Sequence, residues 1–243
     1  MLRLLPGAAR GTPRPDHVAP ARVSAQAKSG PDRPRAAAER TERLLEVVAA
    51  IAVVAGRFVF REALADRWYF IAPAIALAAV YLAVSVARGG RTLASYGITG
   101  ANLRASATWS SWIVAVVLSA GVVVSSLTER PVPGDFWLLL AVYPVWGFAQ
   151  QFLFQGLFHQ NLLRLGVPAF WSIAATTALF ALAHHPASQL MYFSAAGGLV
   201  FSVLFARFRN IVPLGFAHGL CGAIVYHLIL HRDPLQRLFA TVS

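Results

Sequence analysis

Residues 136–163 read FWLLLAVYPVWGFAQQFLFQGLFHQNLL, and they hold no Asp, Glu, Lys or Arg. A helix needs about 20 predominantly apolar residues to cross the hydrocarbon core of a bilayer. This run meets that requirement, and it does not stand alone. Apolar runs also occupy 68–87, 108–127, 167–186, 189–206 and 211–230. A less pure run at 44–60 carries Glu46 and Arg57. The runs are continuous and do not alternate at every second residue, which selects helices over a closed barrel. Those two are the structures that satisfy every backbone polar group in lipid. Over 243 residues the composition agrees, at 57% hydrophobic and 13% charged. An ordinary globular domain carries about 25% charged residues. The expected fold is therefore all-α, a multi-pass transmembrane bundle of about seven spans, and a soluble protein is excluded.

The net charge of +11 is spread in a telling way. Loop 88–107 holds Arg88, Arg91 and Arg104 with no acid, position 164 is Arg164, and 207–210 holds Arg207 and Arg209. Loop 128–135 is mixed, with Glu129, Arg130 and Asp135. With seven spans and the N-terminus inside, the net-basic internal loops share one face, as the positive-inside rule asks. The basic balance thus points to a lipid bilayer and to no nucleic-acid partner. The expected location is the bacterial cytoplasmic membrane. Residues 1–43 carry nine Lys or Arg against four Asp or Glu and have no apolar period, so they read as a disordered basic leader. Residues 44–231 form the transmembrane domain and 232–243 a short tail. Cys221 is the single cysteine, so no internal disulfide forms.

Polar groups inside a span are costly and are functional candidates by default. They cluster in three places. The first is Gln150-Gln151, then Gln155 and His159 on the same helical stripe at four-residue spacing. The second is His184-His185-Pro186 at the end of its run, and the third is His218 within Gly215-Phe-Ala-His218-Gly219-Leu-Cys221-Gly222. Each has a plain packing reading. Gln and His serve as interhelical hydrogen-bond partners, and Gly215 with Gly219 makes a small-xxx-small contact. No metal or other cofactor is expected. His184 and His185 are adjacent and point about 100° apart on a helix, and His159 lies about 12 Å along the axis from Gln151.

In this order, on successive spans, the three clusters resemble the CPBP family, the CAAX-protease and bacteriocin-processing (Abi) intramembrane proteins. The family pattern is Glu-Glu-x-x-x-Arg, then Phe-x-x-x-His, then His-x-x-x-Asn. Gln150-Gln151-x-x-x-Gln155 followed by Gly156 lies on the first, Phe180-x-x-x-His184 matches the second, and His218-x-x-x-Gly222 keeps the His of the third. The segment Tyr96-Gly-Ile-Thr-Gly-Ala-Asn-Leu-Arg104 is similar to the short loop before the family's core. The resemblance covers about 96–230. It implies a glutamate-dependent intramembrane endopeptidase with catalytic positions at Gln150, Gln151, Gln155, His184, His218 and Gly222. In that mechanism a glutamate helped by a histidine deprotonates a water, and Asn with another His steadies the oxyanion.

Here both glutamates are glutamine, the Arg is Gln155, the Asn is Gly222, and residues 136–232 contain no Asp or Glu. A carboxamide orients water but is no base near neutral pH. Loss of two negative charges and one positive charge together converts a charged site to a neutral one. One expectation is an endopeptidase using His184 or His218 with a Gln-held water. The alternative is a pseudoprotease that binds a membrane-embedded or lipidated peptide without cutting it. A third is a small transporter, for which the sequence shows no inverted repeat. The site is expected between helices 136–163, 167–186 and 211–230. As drawn, His184 lies near the outer end of its helix and His218 nearer the inner end of its own, so a shared site demands a tilted, broken or shifted helix.

Overall fold

A helix presented to lipid gains little from burying more apolar surface, because lipid tails are as apolar as its neighbours. Packing then rests on close contact and on interhelical hydrogen bonds. The computed structural model of the chain shows both. It describes residues 33–59, 68–89, 91–129, 132, 134 and 136–232. Helices occupy all seven apolar runs: α1 (Arg33–Val59), α2 (Trp68–Ala87), α3 (Leu103–Leu127), α4 (Phe136–Arg164), α5 (Ala169–Leu182), α6 (Ser188–Phe208) and α7 (Ile211–Ile229). Four of them, α3, α4, α6 and α7, are long and apolar enough to cross a membrane, and α2 and α5 are shorter apolar helices. The protein is a helical membrane bundle, with no strand among the described residues.

Two sequence boundaries move. Residues 33–43, read as part of the disordered leader, are the first turns of α1. The rest of that leader, 1–32, and the tail from 233 onward lie outside the described residues. The run 167–186 is helical only over Ala169–Leu182. Its 14 residues rise only about 21 Å, short of the roughly 30 Å core. After Leu182 the chain turns, with His184 N–H on Ala181 O at 3.0 Å and His185 N–H on Leu182 O at 2.9 Å.

The centre of the bundle is the pair α4 and α7. A Cβ on Gly147 would lie 2.5 Å from Gly219 N and 2.6 Å from Gly215 O, and one on Gly219 would lie 2.4 Å from Pro144 Cα. Backbone therefore meets backbone, which only glycine allows. The packing reading of Gly215 and Gly219 is what the structure shows. Around this pair, α3 lies on α7, α5 and α6 form a hairpin on the other side, and α1 crosses the second half of α4. The exposed apolar residues face outward, among them Trp109, Trp112, Val116 and Val123 on α3 and Phe170 and Trp171 at the start of α5.

Helix α4 changes winding along its length. It is α-helical to Gln151, π-helical over Phe152–His159, and α-helical again over Gln160–Arg164. Gln160 N–H reaches Gln155 O, the i→i+5 bond of a π-turn. Wide turns of this kind recur where a helix carries function, and here they begin immediately after Gln151.

The basic loops gather at one end. Ile211 N–H donates to Gly97 O at 2.8 Å, and Asn210 Nδ2 donates to Thr99 O at 2.7 Å and to Ala101 O at 2.9 Å. Gly97 has φ +83°, the left-handed turn that ends the short 3-10 segment Leu93–Tyr96, and a Cβ there would meet the Phe205 ring at 2.9 Å. The loop singled out at 96–104 thus caps the end of α4, α6 and α7.

Candidate functional site

The polar stripe of α4 faces inward. Gln151, Gln155 and His159 are all buried. They do not act as one ladder. Gln151 Nε2 meets His218 Nδ1 of α7 at 2.7 Å. Gln155 Nε2 donates to Ser202 Oγ of α6 at 3.0 Å, and its Oε1 meets His159 Nδ1 at 2.7 Å. The His159 ring stands 5.4 Å from that of Phe205. Gln151 is therefore the stripe residue that reaches a histidine of the third cluster, while Gln155 and His159 bond each other and α6.

His184 joins them because α5 is short. It sits in the turn after Leu182, so the expected offset in depth between His184 and His218 does not arise. The Phe180 ring lies edge-on to both, at 5.0 Å from His184 and 5.2 Å from His218. His184 Nδ1 bonds the Phe180 carbonyl at 2.9 Å, which directs its Nε2 away from its own backbone. The angle argument that separated His184 from His185 on a helix fails, since neither is helical. His185 instead packs its ring at 5.7 Å from Phe58 of α1. Phe201 stacks on His218 at 5.5 Å with 13° between planes. His218 is thus oriented by an aromatic face, an aromatic edge and an amide. Among the described residues no three of His, Cys, Asp and Glu stand where they could hold a metal ion.

Two positions stay at the rim. Gln150 is half-buried, and no described side chain bonds it. Gly222 is half-buried, and a Cβ on it would meet Tyr143 Cδ1 at 3.3 Å and Cε1 at 3.4 Å. The Tyr143 ring occupies the space into which a longer side chain at 222 would extend.

The chemistry follows from the amide. Gln151 bonds His218 through one end, and its Oε1 is buried with no partner among the described residues. Turning the amide over exchanges which end is unpaired, but one unmet group remains in either sense. With Gln151 Nε2 donating, His218 Nδ1 is the acceptor and Nε2 carries the proton. With the amide turned over, Nδ1–H donates and Nε2 holds the lone pair. A buried polar group without a partner in lipid costs free energy, and this atom is the unmet hydrogen-bonding position of the site.

Sequence reading left out the partners. Ser202 of α6 is buried, and so α6 joins the three helices expected to form the site. Glu46 is a larger omission. It was read only as a blemish in the α1 run, yet it is buried. It accepts from the hydroxyls of Tyr81 and Tyr96 and from the Asn161 amide, and it pairs with Arg91 at 3.3 Å. The available signal was a lone carboxylate inside an apolar run.

Fold and site together define a class: a helical membrane protein with an uncharged polar site held between α4, α5, α6 and α7. Residues 132–224 match the family described as Type II CAAX prenyl endopeptidase Rce1-like. The matched segment, similar to Rce1-like proteins, holds all six motif positions from Gln150 to Gly222, in agreement with the CPBP resemblance read from the motifs. The helices α1, α2 and α3 lie outside the matched residues. No curated protein and no solved structure matches the chain.

Proposed function

We propose that the protein binds a membrane-embedded or lipidated peptide in an Rce1-like site and does not cut it by the glutamate route. The observation that carries this reading is Gln151, joined to His218 at 2.7 Å with its other amide atom buried and unpaired. An unmet carboxamide atom pairs with the N–H or C=O of a bound backbone, and it takes no proton from water. The surroundings are aromatic, from Phe180 and Phe201, which suits an apolar or prenylated segment. The protein acts in the bacterial cytoplasmic membrane with its basic end inside, the sense set by Arg88, Arg91, Arg104, Arg164, Arg207 and Arg209.

A second reading has one observation in its favour. His184 and His218 share the Phe180 ring, so one imidazole could act as base while the other steadies the developing oxyanion. Binding separates neither reading from the other, but it tests the site itself. A fluorescent peptide ending in a farnesylated cysteine is titrated into the protein in nanodiscs. Saturable binding, weakened about tenfold in Gln151→Leu as expected for one lost polar contact to a buried group, supports the site. Equal binding by Gln151→Leu, or none by the wild type, overturns it.

A further inference from the structure

Four arginines from four separate parts of the chain converge on the basic end of the bundle. Arg91, in the loop before α3, pairs with Glu46 of α1. Glu46 in turn accepts from Asn161 of α4. Arg43 lies one turn before Glu46 on α1, and Arg164 lies one turn after Asn161 and Gln160 on α4. Arg209, in the turn between α6 and α7, donates to Gln160 Oε1 at 2.6 Å. Arg164 accordingly feels the charges of Arg43, Arg91 and Arg209 as well as that of Glu46.

The acids nearby, Glu39, Glu42 and Glu46, are three against four arginines, and Glu42 is exposed. Glu46 is already held by four partners, and Glu39 answers Arg43 at 3.2 Å on the exposed face of α1. Arg164 has no hydrogen bond or ion pair among the described residues. Like charges gathered at one end of the fold repel one another, and an anion among them relieves that repulsion. A lipid headgroup is the source of anion that the neighbouring residues favour. Trp171, exposed a few residues beyond Arg164, is a residue type that settles at the membrane interface.

We propose that Arg43, Arg91, Arg164 and Arg209 bind the phosphodiester of an anionic phospholipid at this end of the bundle. Guanidinium groups hold phosphate oxygens in pairs, and the buried Glu46 fixes Arg91 in place while its own charge is spent on tyrosine, asparagine and arginine. The site joins α1 and the 88–102 loop to α4 and α7, so lipid bound there ties the helices outside the Rce1-like segment to those within it.

The test uses the full chain in detergent, with native mass spectrometry and thermal unfolding as readouts. The probes are phosphatidylglycerol, phosphatidylcholine and inorganic phosphate. One retained phosphatidylglycerol and a raised Tm are expected, with no such effect from phosphatidylcholine. Arg164→Gln should weaken binding about fivefold, the effect of one interfacial charge. Arg43→Gln gives a second variant should Arg164→Gln fail to fold. Arg88→Gln, an exposed arginine of the same end outside the cluster, should leave binding unchanged. Equal loss in Arg88→Gln and Arg164→Gln would show a general interfacial charge and overturn the site. Inorganic phosphate stabilising as well as the lipid, at equal concentration, would overturn the lipid as its occupant.

Discussion

Gln151 and Glu46 show how differently one polar residue can be used inside a membrane. Among the described residues Gln151 has one partner and one unmet atom, and Glu46 has both carboxylate oxygens engaged. Removing Glu46 should therefore be the more damaging change. Glu46→Ala leaves Arg91, two tyrosine hydroxyls and the Asn161 amide without their acceptor and should cost about 3–5 kcal/mol. Glu46→Gln keeps one acceptor oxygen and should cost less. Thermal unfolding in detergent reads the difference, and equal Tm values for the two variants would contradict the assigned role. Gln150, Gln151, Gln155, His184 and His218 were legible in the sequence because polar residues stand out against an apolar run. The partners were not. Asn161 is 115 positions from Glu46, and a serine such as Ser202 is ordinary in any helix. Only the fold brings them together.

The contact of α4 with α7 depends on Gly147, Gly215 and Gly219, and Gly222 on α7 has a different neighbour. Gly219 faces backbone at 2.4 Å, whereas Gly222 faces the side of a tyrosine ring at 3.3 Å. Gly219→Ala should force the helices apart and cost about 2–3 kcal/mol, while Gly222→Ala should cost under about 1 kcal/mol. Thermal unfolding of the two variants checks this, and a reversed order would place the contact elsewhere. The same geometry bears on restoring the family's charges. Gln155 is 2% exposed between Ser202 and His159, so Gln155→Arg buries an unmatched charge unless Gln150→Glu and Gln151→Glu come with it. Gln155→Arg alone should abolish folded expression, and recovery in the triple variant would show that the three positions act as one charge-balanced unit. At this scale the helices themselves were legible from the long continuous apolar runs. Their ends were less so. Ala183 to Pro186 falls within the run 167–186, and the turn bonds after Leu182 show that the helix stops before them. That early stop is what brings His184 beside Phe180 and His218.

At the scale of the molecule, Arg91, Arg164 and Arg209 gather at one end of the bundle. Reporter fusions at Gly166 and Arg209 should be active on the cytoplasmic face and one at Thr128 on the opposite face. Activity of all three on one side would contradict the orientation. The account's central claim concerns the site that this arrangement encloses, and turnover tests it most directly. Purified protein in nanodiscs is incubated with a farnesylated CAAX peptide and a library of membrane peptides, and new termini are sought by mass spectrometry. The neutral site of Gln150, Gln151 and Gln155 predicts binding with no cleavage above that of a Gln151→Leu, His184→Ala, His218→Ala control. Cleavage by the wild type that disappears in His184→Ala would contradict it, and would make the paired imidazoles the working base and oxyanion partner of an active protease.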